Sequence, residues 1–382
     1  MSIDRENLAK LTNNNLKVLE ELGWNTILET SFRQLNQPDL VPARVTGKTR
    51  NTFHVMAGSG ERIANISGRN FYEGMLENLY PAVGDWVGVR IDVPNQNYTI
   101  EAVLPRKGKI SRQVSGGRDR YSGGQIAEQI IAANVDTVFI TASLDGSRNL
   151  NMSKIERYII LARASAASPV ILLNKMDLCA DIQTQINVVK QVALSIPVLA
   201  ISATHAAGLE GIKQYLTRGS TAVFLGPSGV GKSSIINALL GADRLKIGEV
   251  RESDYQGRHT TTGQELLLLP GGGVVIDTPG MREIQLWVDD DNLSGNFPDI
   301  EALAQMCRFR DCMHRAEPGC AVKQAIDEGI LDVRRLENYR KLEREVLHLK
   351  ARKGDFARVV EEKKKWKKIS QWQKNYQKYN PE

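Results

Sequence analysis

A chain of 382 residues, 42% apolar and 25% charged, has the composition of an ordinary globular protein with room for two or three domains. No run approaches the roughly 18 consecutive apolar residues of a membrane span, and the opening MSIDRENLAKLTNNN lacks the basic and apolar regions of a secretory signal. The expectation is a cytoplasmic chain with no membrane partner; four cysteines, three of them between Cys307 and Cys320, do not make a disulfide scaffold.

Residues 1–40 read as a short helical extension. From 41 to 106 the runs VPARVTGKTRNTFHVMAG, ERIANISGR, GDWVGVRID and NYTIEAVLP are short and β-rich, broken by Gly, Asn and Asp. They predict a small closed barrel. An OB-fold is the version most associated with RNA, although the pattern fits other small barrels as well.

Residues 107–290 then alternate strand-like and helix-like segments: VDTVFITA, MSKIERYIILARA, PVILLNKMD, INVVKQVALS, PVLAISAT and LEGIKQYL. This is the rhythm of a doubly wound α/β sheet. The third ends in Asn174, Lys175, Met176 and Asp177, the N-K-x-D pattern, and the fifth in Ser202, Ala203 and Thr204. An Asp carboxylate can accept from both N1–H and the exocyclic amine of guanine, whereas adenine presents neither donor in that arrangement. Cys179 reads as a small buried side chain.

Next comes TAVFLGPSGVGKSSIINALL, in which Gly226, Gly231, Lys232 and Ser233 fall in G-x-x-x-x-G-K-[ST] spacing between a strand and a helix. That is a phosphate-binding loop in its expected setting. Gly226, Pro227, Ser228, Gly229, Val230, Gly231, Lys232 and Ser233 form the cradle, in which amides of Gly229 to Ser233 and the helix dipole favour anions. Lys232 neutralises β and γ oxygens, Ser233 is the expected Mg²⁺ ligand, and Ser234 is an α-phosphate contact or a helix-start residue.

GRHTTTG (Gly257 to Gly263) offers Thr hydroxyls, Thr261 among them, for Mg²⁺ when a γ-phosphate is present. In GGGVVIDTPGM, Asp277 ends a strand where its carboxylate can hold Mg²⁺ through water, and Gly280 can sense the γ-phosphate. All the elements of a guanine-nucleotide hydrolase are present, but the base-reading half precedes the phosphate-binding half. The order predicts a circular permutation, which a parallel sheet tolerates because strands keep their neighbours while connections change.

Residues 291–350 carry CRFRDCMHRAEPGC, with Cys307, Cys312, His314 and Cys320 in C-x4-C-x-H-x5-C spacing. Three thiolates and an imidazole suit a closed, structural Zn²⁺ site, one per chain; free thiols and a surface His are the alternative. ILDVRRLENYRKLEREVLHLK behind it is patterned as helix. From residue 351 onward, ten Lys or Arg face four acids, so the tail carries the whole net charge of +6, interleaved with Trp366, Trp372, Tyr376 and Tyr379. That fits nucleic acid or a solvated helix equally.

A β-barrel, a permuted GTPase carrying NKMD, SAT, GPSGVGKSS, GRHTTT and DTPG, and then CRFRDCMHRAEPGC together resemble the RsgA (YjeQ/YloQ) family of small-subunit-dependent ribosomal GTPases, over about residues 41–350. The resemblance implies an enzyme that hydrolyses GTP to GDP and phosphate, binds the small (30S) ribosomal subunit and its rRNA, and acts late in maturation of that subunit. It also implies zinc at Cys307, Cys312, His314 and Cys320, and GTP contacts at Asn174–Asp177 and Gly226–Ser234. A GTP-dependent ribosome-binding switch with incidental turnover and a permuted GTPase of the large subunit stand as alternatives.

The position after the D-x-x-G glycine, where Ras-like enzymes keep a Gln, is Met281, which cannot orient water. His259 in GRHTTT is the candidate replacement, by chemistry and by the family's G-x-H-T-T-T segment. His54, His205 and His348 have no comparable setting and read as structural or exposed. No heptad or self-pairing segment argues for a dimer, so a monomer is expected.

Overall fold

A computed structural model describes residues 13–49, 52–68, 80–92, 97–115, 126–146, 149–245, 264–278 and 295–351. His259, Thr261, Gly280, Met281 and the basic tail beyond residue 351 lie outside the described residues. Two compact units divide the chain, one of residues 1–112 and 130–285, the other of 113–129 and 286–382.

The first unit begins with two helices, α1 (Asn13–Glu21) and α2 (Thr26–Arg33). Asn25 caps α2, its side-chain oxygen accepting from the amides of Ile27 and Leu28 at 3.0 and 3.1 Å. Five strands follow: β1 (Leu40–Lys48), β2 (Phe53–Ala57), β3 (Gly60–Ile66), β4 (Trp86–Asp92) and β5 (Asn97–Val103). Their order β1-β2-β3-β5-β4 closes through β1–β4 pairing, with β3 and β5 parallel, which is the OB-fold barrel. Ala43, Val45, Phe53, Val55, Val87, Val89 and Ile100 fill its interior.

β1 is buried on both faces, because its outward side is covered as well. Arg44 in its middle is 1% exposed and donates to the carbonyls of Leu22 and Gly84 and to the Thr221 hydroxyl, with its guanidinium 5.3 Å from the Trp86 ring centre. Burial pulls its pKa down to about 10, against the opposing pull of Asp136 and Asp85, so it stays charged. One side chain thus ties the helical extension, the barrel and the strand that enters the phosphate loop. Nearby, Asp85 is fully buried; it accepts from the Ala82 amide and pairs with Arg106 at 2.6 Å.

β6 (Lys109–Ser115) and β7 (Ile126–Ala133) pair with each other. The nucleotide-domain sheet then takes the order β10-β9-β8-β11-β13-β12, made of β8 (Thr137–Ser143), β9 (Ser168–Asn174), β10 (Val198–Ala200), β11 (Thr221–Leu225), β12 (Glu265–Leu268) and β13 (Val274–Asp277). All neighbours are parallel except β12 and β13. The helices are α3 (Met152–Ala164), α4 (Ile182–Ala193), α5 (Glu210–Lys213) and α6 (Lys232–Leu240).

β11, which feeds the phosphate loop, lies between β8 and β13. Among these six strands, those that precede it in the chain are on one side and those that follow it on the other, so the permuted order still builds a doubly wound sheet with β11 at its centre. Phe139 and Phe224 stack at 4.9 Å inside the core with Leu172, Ile201, Ile235 and Val275. Burying a side chain of that size stabilises by about 1.5–3 kcal/mol.

The second unit contains α7 (Pro298–Ala304), α8 (Ala321–Asp327) and a helix over residues 333–351. Phe297, Ile300, Val322, Leu336, Leu342 and Val346 are buried in it. Arg335 forks onto Asp299 and lies 4.8 Å over the Phe297 ring, whose other neighbour is Tyr339. Burial alone would raise the Asp299 carboxyl, but the Arg335 contact outweighs it and holds the group below its ordinary value.

Candidate nucleotide site and metal centre

The phosphate loop leaves β11 at Gly226, whose φ of +152° only glycine adopts readily. A Cβ there would stand 2.2 Å from the Thr141 carbonyl oxygen on β8. The loop ends at Gly231, φ +92°, where a Cβ would stand 2.3 Å from Asn174 Nδ2. The spacing of the motif is therefore set by two close approaches, one to β8 and one to the end of β9. Gly231 is also the N-cap of α6, and no side chain caps that helix, which leaves its first amides to an anion.

Lys232 Nζ donates to the carbonyls of Gly226 and Pro227 at 2.8 Å each. Burial pushes its pKa down to about 8, partly offset by the negative charge of Asp277. Asp277, at the end of β13, is shifted the other way: burial raises it and Lys232 lowers it. The two charges are mutually dependent. Ser233 and Ser234 occupy the first turn of α6, half-buried, and Ser228 and Gly229 are exposed at the loop tip while Val230 is buried beneath it.

Asn174 ends β9 and is 2% exposed. Its Nδ2 donates to the Val230 carbonyl at 2.8 Å and its Oδ1 accepts from the Ala203 amide at 3.1 Å. The N-K-x-D segment, the S-A-T segment and the phosphate loop are thereby joined by one side chain. Lys175 adopts φ +62°, and its ammonium pairs with Asp145 at 2.6 Å, a partner on the loop after β8 that the sequence reading did not single out. Met176 and Asp177 begin a single 3-10 turn, Met176–Leu178, tied back by the Met176 amide to the Ile201 carbonyl at 3.0 Å. Cys179, expected buried, is half-buried at the end of this turn, where its neighbours Leu178 and Ala180 are exposed.

Asp177 is held below the usual carboxylate range, chiefly by a hydrogen bond from the Ser202 hydroxyl. His205, set aside on sequence, is exposed as expected, yet its Nδ1 lies 3.1 Å from Ser202 Oγ and 3.8 Å from Asp177 Oδ2. Its place one residue after S-A-T was the available signal. Ser202 itself is buried and fixed by reciprocal amide-to-carbonyl bonds with Ala207 at 3.0 Å.

In the second unit, one ligand atom from each of Cys307, Cys312, His314 and Cys320 lies within 4.8 Å of the others. Cys307 Sγ is 3.9 Å from Cys320 Sγ, and His314 Nδ1 is 3.6 and 3.5 Å from those two sulfurs. Tetrahedral zinc with bonds of about 2.3 Å to sulfur and about 2.0 Å to nitrogen requires edges of about 3.8 and about 3.5 Å. The donor set fits that ion, and it has no fifth ligand position to offer a substrate.

The surrounding loop is built to hold the set. His314 takes φ +58°, and its carbonyl accepts from the Arg340 guanidinium. The Glu317 carboxylate accepts from the amides of Met313, Arg315 and Ala316 at 3.1, 2.6 and 3.0 Å. Burial works to raise the Cys307 thiol, but the amides of Val322 and Ala321 outweigh it and hold it below its ordinary value, whereas burial pushes the Cys312 thiol up to about 11.

Two family models match the chain: one described as RsgA GTPase over residues 103–287, and one described as 50S ribosome-binding GTPase over residues 221–363. A protein of Opitutus terrae named "Small ribosomal subunit biogenesis GTPase RsgA" is 41% identical over 365 residues, covering 93% of this chain and 97% of that protein. Among solved structures, YjeQ from Thermotoga maritima aligns with a TM-score of 0.57 at 28% identity, over 81% of this chain and 99% of that one. YloQ, described as a circularly permuted GTPase, aligns at 0.52 and 22% identity, over 81% of this chain and 96% of that one, and shares the fold.

Proposed function

The chain belongs to the RsgA family of circularly permuted, ribosome-associated GTPases, and from that membership we propose that it hydrolyses GTP on the small ribosomal subunit late in that subunit's maturation. The observation that carries the nucleotide assignment is the pair of hydrogen bonds in which Asn174 donates to the Val230 carbonyl and accepts from the Ala203 amide, gathering base-reading and phosphate-binding segments from distant parts of the chain.

In this reading Asp177 accepts from N1–H and the exocyclic amine of guanine, and Lys175 and Ala203 frame the base. The amides of Gly229 to Ser233 hold the phosphates. Lys232 exchanges the Gly226 and Pro227 carbonyls for β and γ oxygens, whose negative charge favours its protonated form. Mg²⁺, which neutralises phosphate charge when bound, would be held by Ser233 and Asp277, with Thr261 joining them. His259 positions the attacking water in place of the Gln that Met281 supplants, and Gly280 senses the γ-phosphate. A slow free enzyme, whose site is completed on the ribosome, follows from that absence of Gln. Zn²⁺ at Cys307, Cys312, His314 and Cys320 is structural; the protein works as a cytoplasmic monomer on the 30S subunit and its rRNA.

The test is GTP turnover alone and with isolated small or large subunits, with ATP as the control nucleotide. Stimulation by small subunits only is expected. A second reading, action on the large subunit, draws on the match of residues 221–363 to the 50S ribosome-binding model, and stimulation by large subunits alone would favour it.

A further inference from the structure

We infer that Asp145 is a positioning residue for nucleotide binding: it clamps the Lys175 ammonium, so that the lysine framing the base is ordered before a guanine nucleotide arrives, given the reading that sets guanine beside Lys175 and Asp177. In the sheet, β8 lies between β9, which ends in Asn174, and β11, which feeds the phosphate loop. All three strands run parallel, so their carboxyl ends open on one side, where a doubly wound sheet takes its ligand. The segment leaving β8 therefore stands between the base-reading and phosphate-binding loops. Asp145 is its second residue.

The backbone around the pair is fixed from both sides. Ser143 is the register partner of Asn174, and the Leu144 amide donates to the Asn174 carbonyl at 2.8 Å. Beyond Lys175, the Met176 amide donates to the Ile201 carbonyl at 3.0 Å. Between these ties Lys175 takes φ +62°, a conformation that a residue with a long side chain keeps only where its surroundings hold it. Its ammonium donates to Asp145 Oδ2 at 2.6 Å, and Asp145 Oδ1 accepts from the Ser143 hydroxyl at 3.0 Å. Both carboxylate oxygens are engaged, one by the strand end and one by the lysine. With the Lys175 and Asp145 side chains 30% and 17% exposed, water and salt screen this contact less than they screen a pair at the open surface.

The consequence is a cost moved from binding to folding. Lysine is among the side chains with most rotamer freedom to lose, and a ligand that must immobilise one binds more weakly for it. Held at its backbone and at its ammonium, Lys175 has already lost that freedom. Without Asp145 the nucleotide has to order the lysine itself, and affinity falls. Had Asp145 instead drawn Lys175 away from the nucleotide, its removal would tighten binding, so the sign of the effect separates the two roles.

The experiment is titration calorimetry of GDP with the full chain as wild type, D145A, D145N, K175M and D145A/K175M. D145A is expected to weaken GDP binding about three- to tenfold, the range set by ordering one long side chain. D145N, which preserves the shape of the loop and offers the lysine only a neutral acceptor, should move affinity in the same direction, and it decides the matter if D145A does not fold. K175M should lose at least as much as D145A, and D145A should add nothing once the ammonium is gone. That comparison separates positioning from a structural role, because a deformed loop would weaken GDP binding with or without the lysine. Affinity within twofold of wild type, or tighter, in both Asp145 variants, a loss that persists in the K175M background, or K175M binding as wild type does would overturn the inference and leave the nucleotide assignment standing. Wild-type protein that does not bind GDP would overturn the assignment itself, and the role of Asp145 with it.

Discussion

Gly231→Ala is the substitution whose effect follows most directly from the geometry. The new methyl carbon would lie 2.3 Å from Asn174 Nδ2, closer than any nonbonded contact allows, at a backbone φ of +92° that alanine resists. Asn174 must then withdraw, breaking its bonds to the Val230 carbonyl and the Ala203 amide. A buried partner left unsatisfied costs about 1–3 kcal/mol; the Val230 carbonyl is buried and the Ala203 amide only half-buried, so the second adds about 1 kcal/mol and a loss of about 2–4 kcal/mol falls on the arrangement of the two loops. Carried into binding, that is roughly 30- to 1,000-fold in GDP affinity.

The assay is fluorescence titration with a ribose-labelled GDP, with hydrogen exchange of the phosphate-loop peptide as the structural readout. Because the clash and the lost bonds share one side chain, G231A and N174A should not add: the double variant should bind about as well as the worse single variant. If G231A binds GDP within twofold of wild type, or if the two substitutions add in full, Asn174 does not hold the site together.

Lys232 gives a pH dependence. With a pKa of about 8 in the nucleotide-free protein, it is charged below that pH and loses its proton above it, while bound phosphates favour the charged form. GDP binding should therefore take up a proton above pH 8, and affinity should fall toward about tenfold per pH unit, measured by calorimetry in buffers of different ionisation heat. Arg106→Met leaves the fully buried Asp85 without its cation and should destabilise by about 3–5 kcal/mol, read as a lower urea midpoint by tryptophan fluorescence. Metal analysis should return one zinc per chain; chelation or Cys312→Ser should open residues 295–351 to protease while leaving GDP affinity intact.

Much of this protein could be read locally. The G-x-x-x-x-G-K-S loop, the N-K-x-D and S-A-T strand ends, and the C-x4-C-x-H-x5-C cluster are contiguous signals whose chemistry resides in residue type and spacing. The barrel and the alternating sheet were legible for the same reason: period-two and helical patterning record which face of each element is buried.

What the pattern could not show was how the elements close on one another. Arg44 lies amid apolar strand residues and looks like an outward, solvated position; only the packing of α1 and β11 over β1 makes it a buried tie to Leu22 and Thr221. Asp145 and His205 carry no motif and acquire a role by standing beside Lys175, Ser202 and Asp177. The permuted order of motifs was written in the chain, yet the central place of β11 depends on strand pairing across long sequence separations. Sequence by itself determined the chemistry of each segment, because local conformation and donor type are properties of a few neighbouring residues. Tertiary structure decided which segments meet and which polar groups are satisfied, because a hydrogen bond between residues 174 and 230 exists only once the intervening chain has been closed.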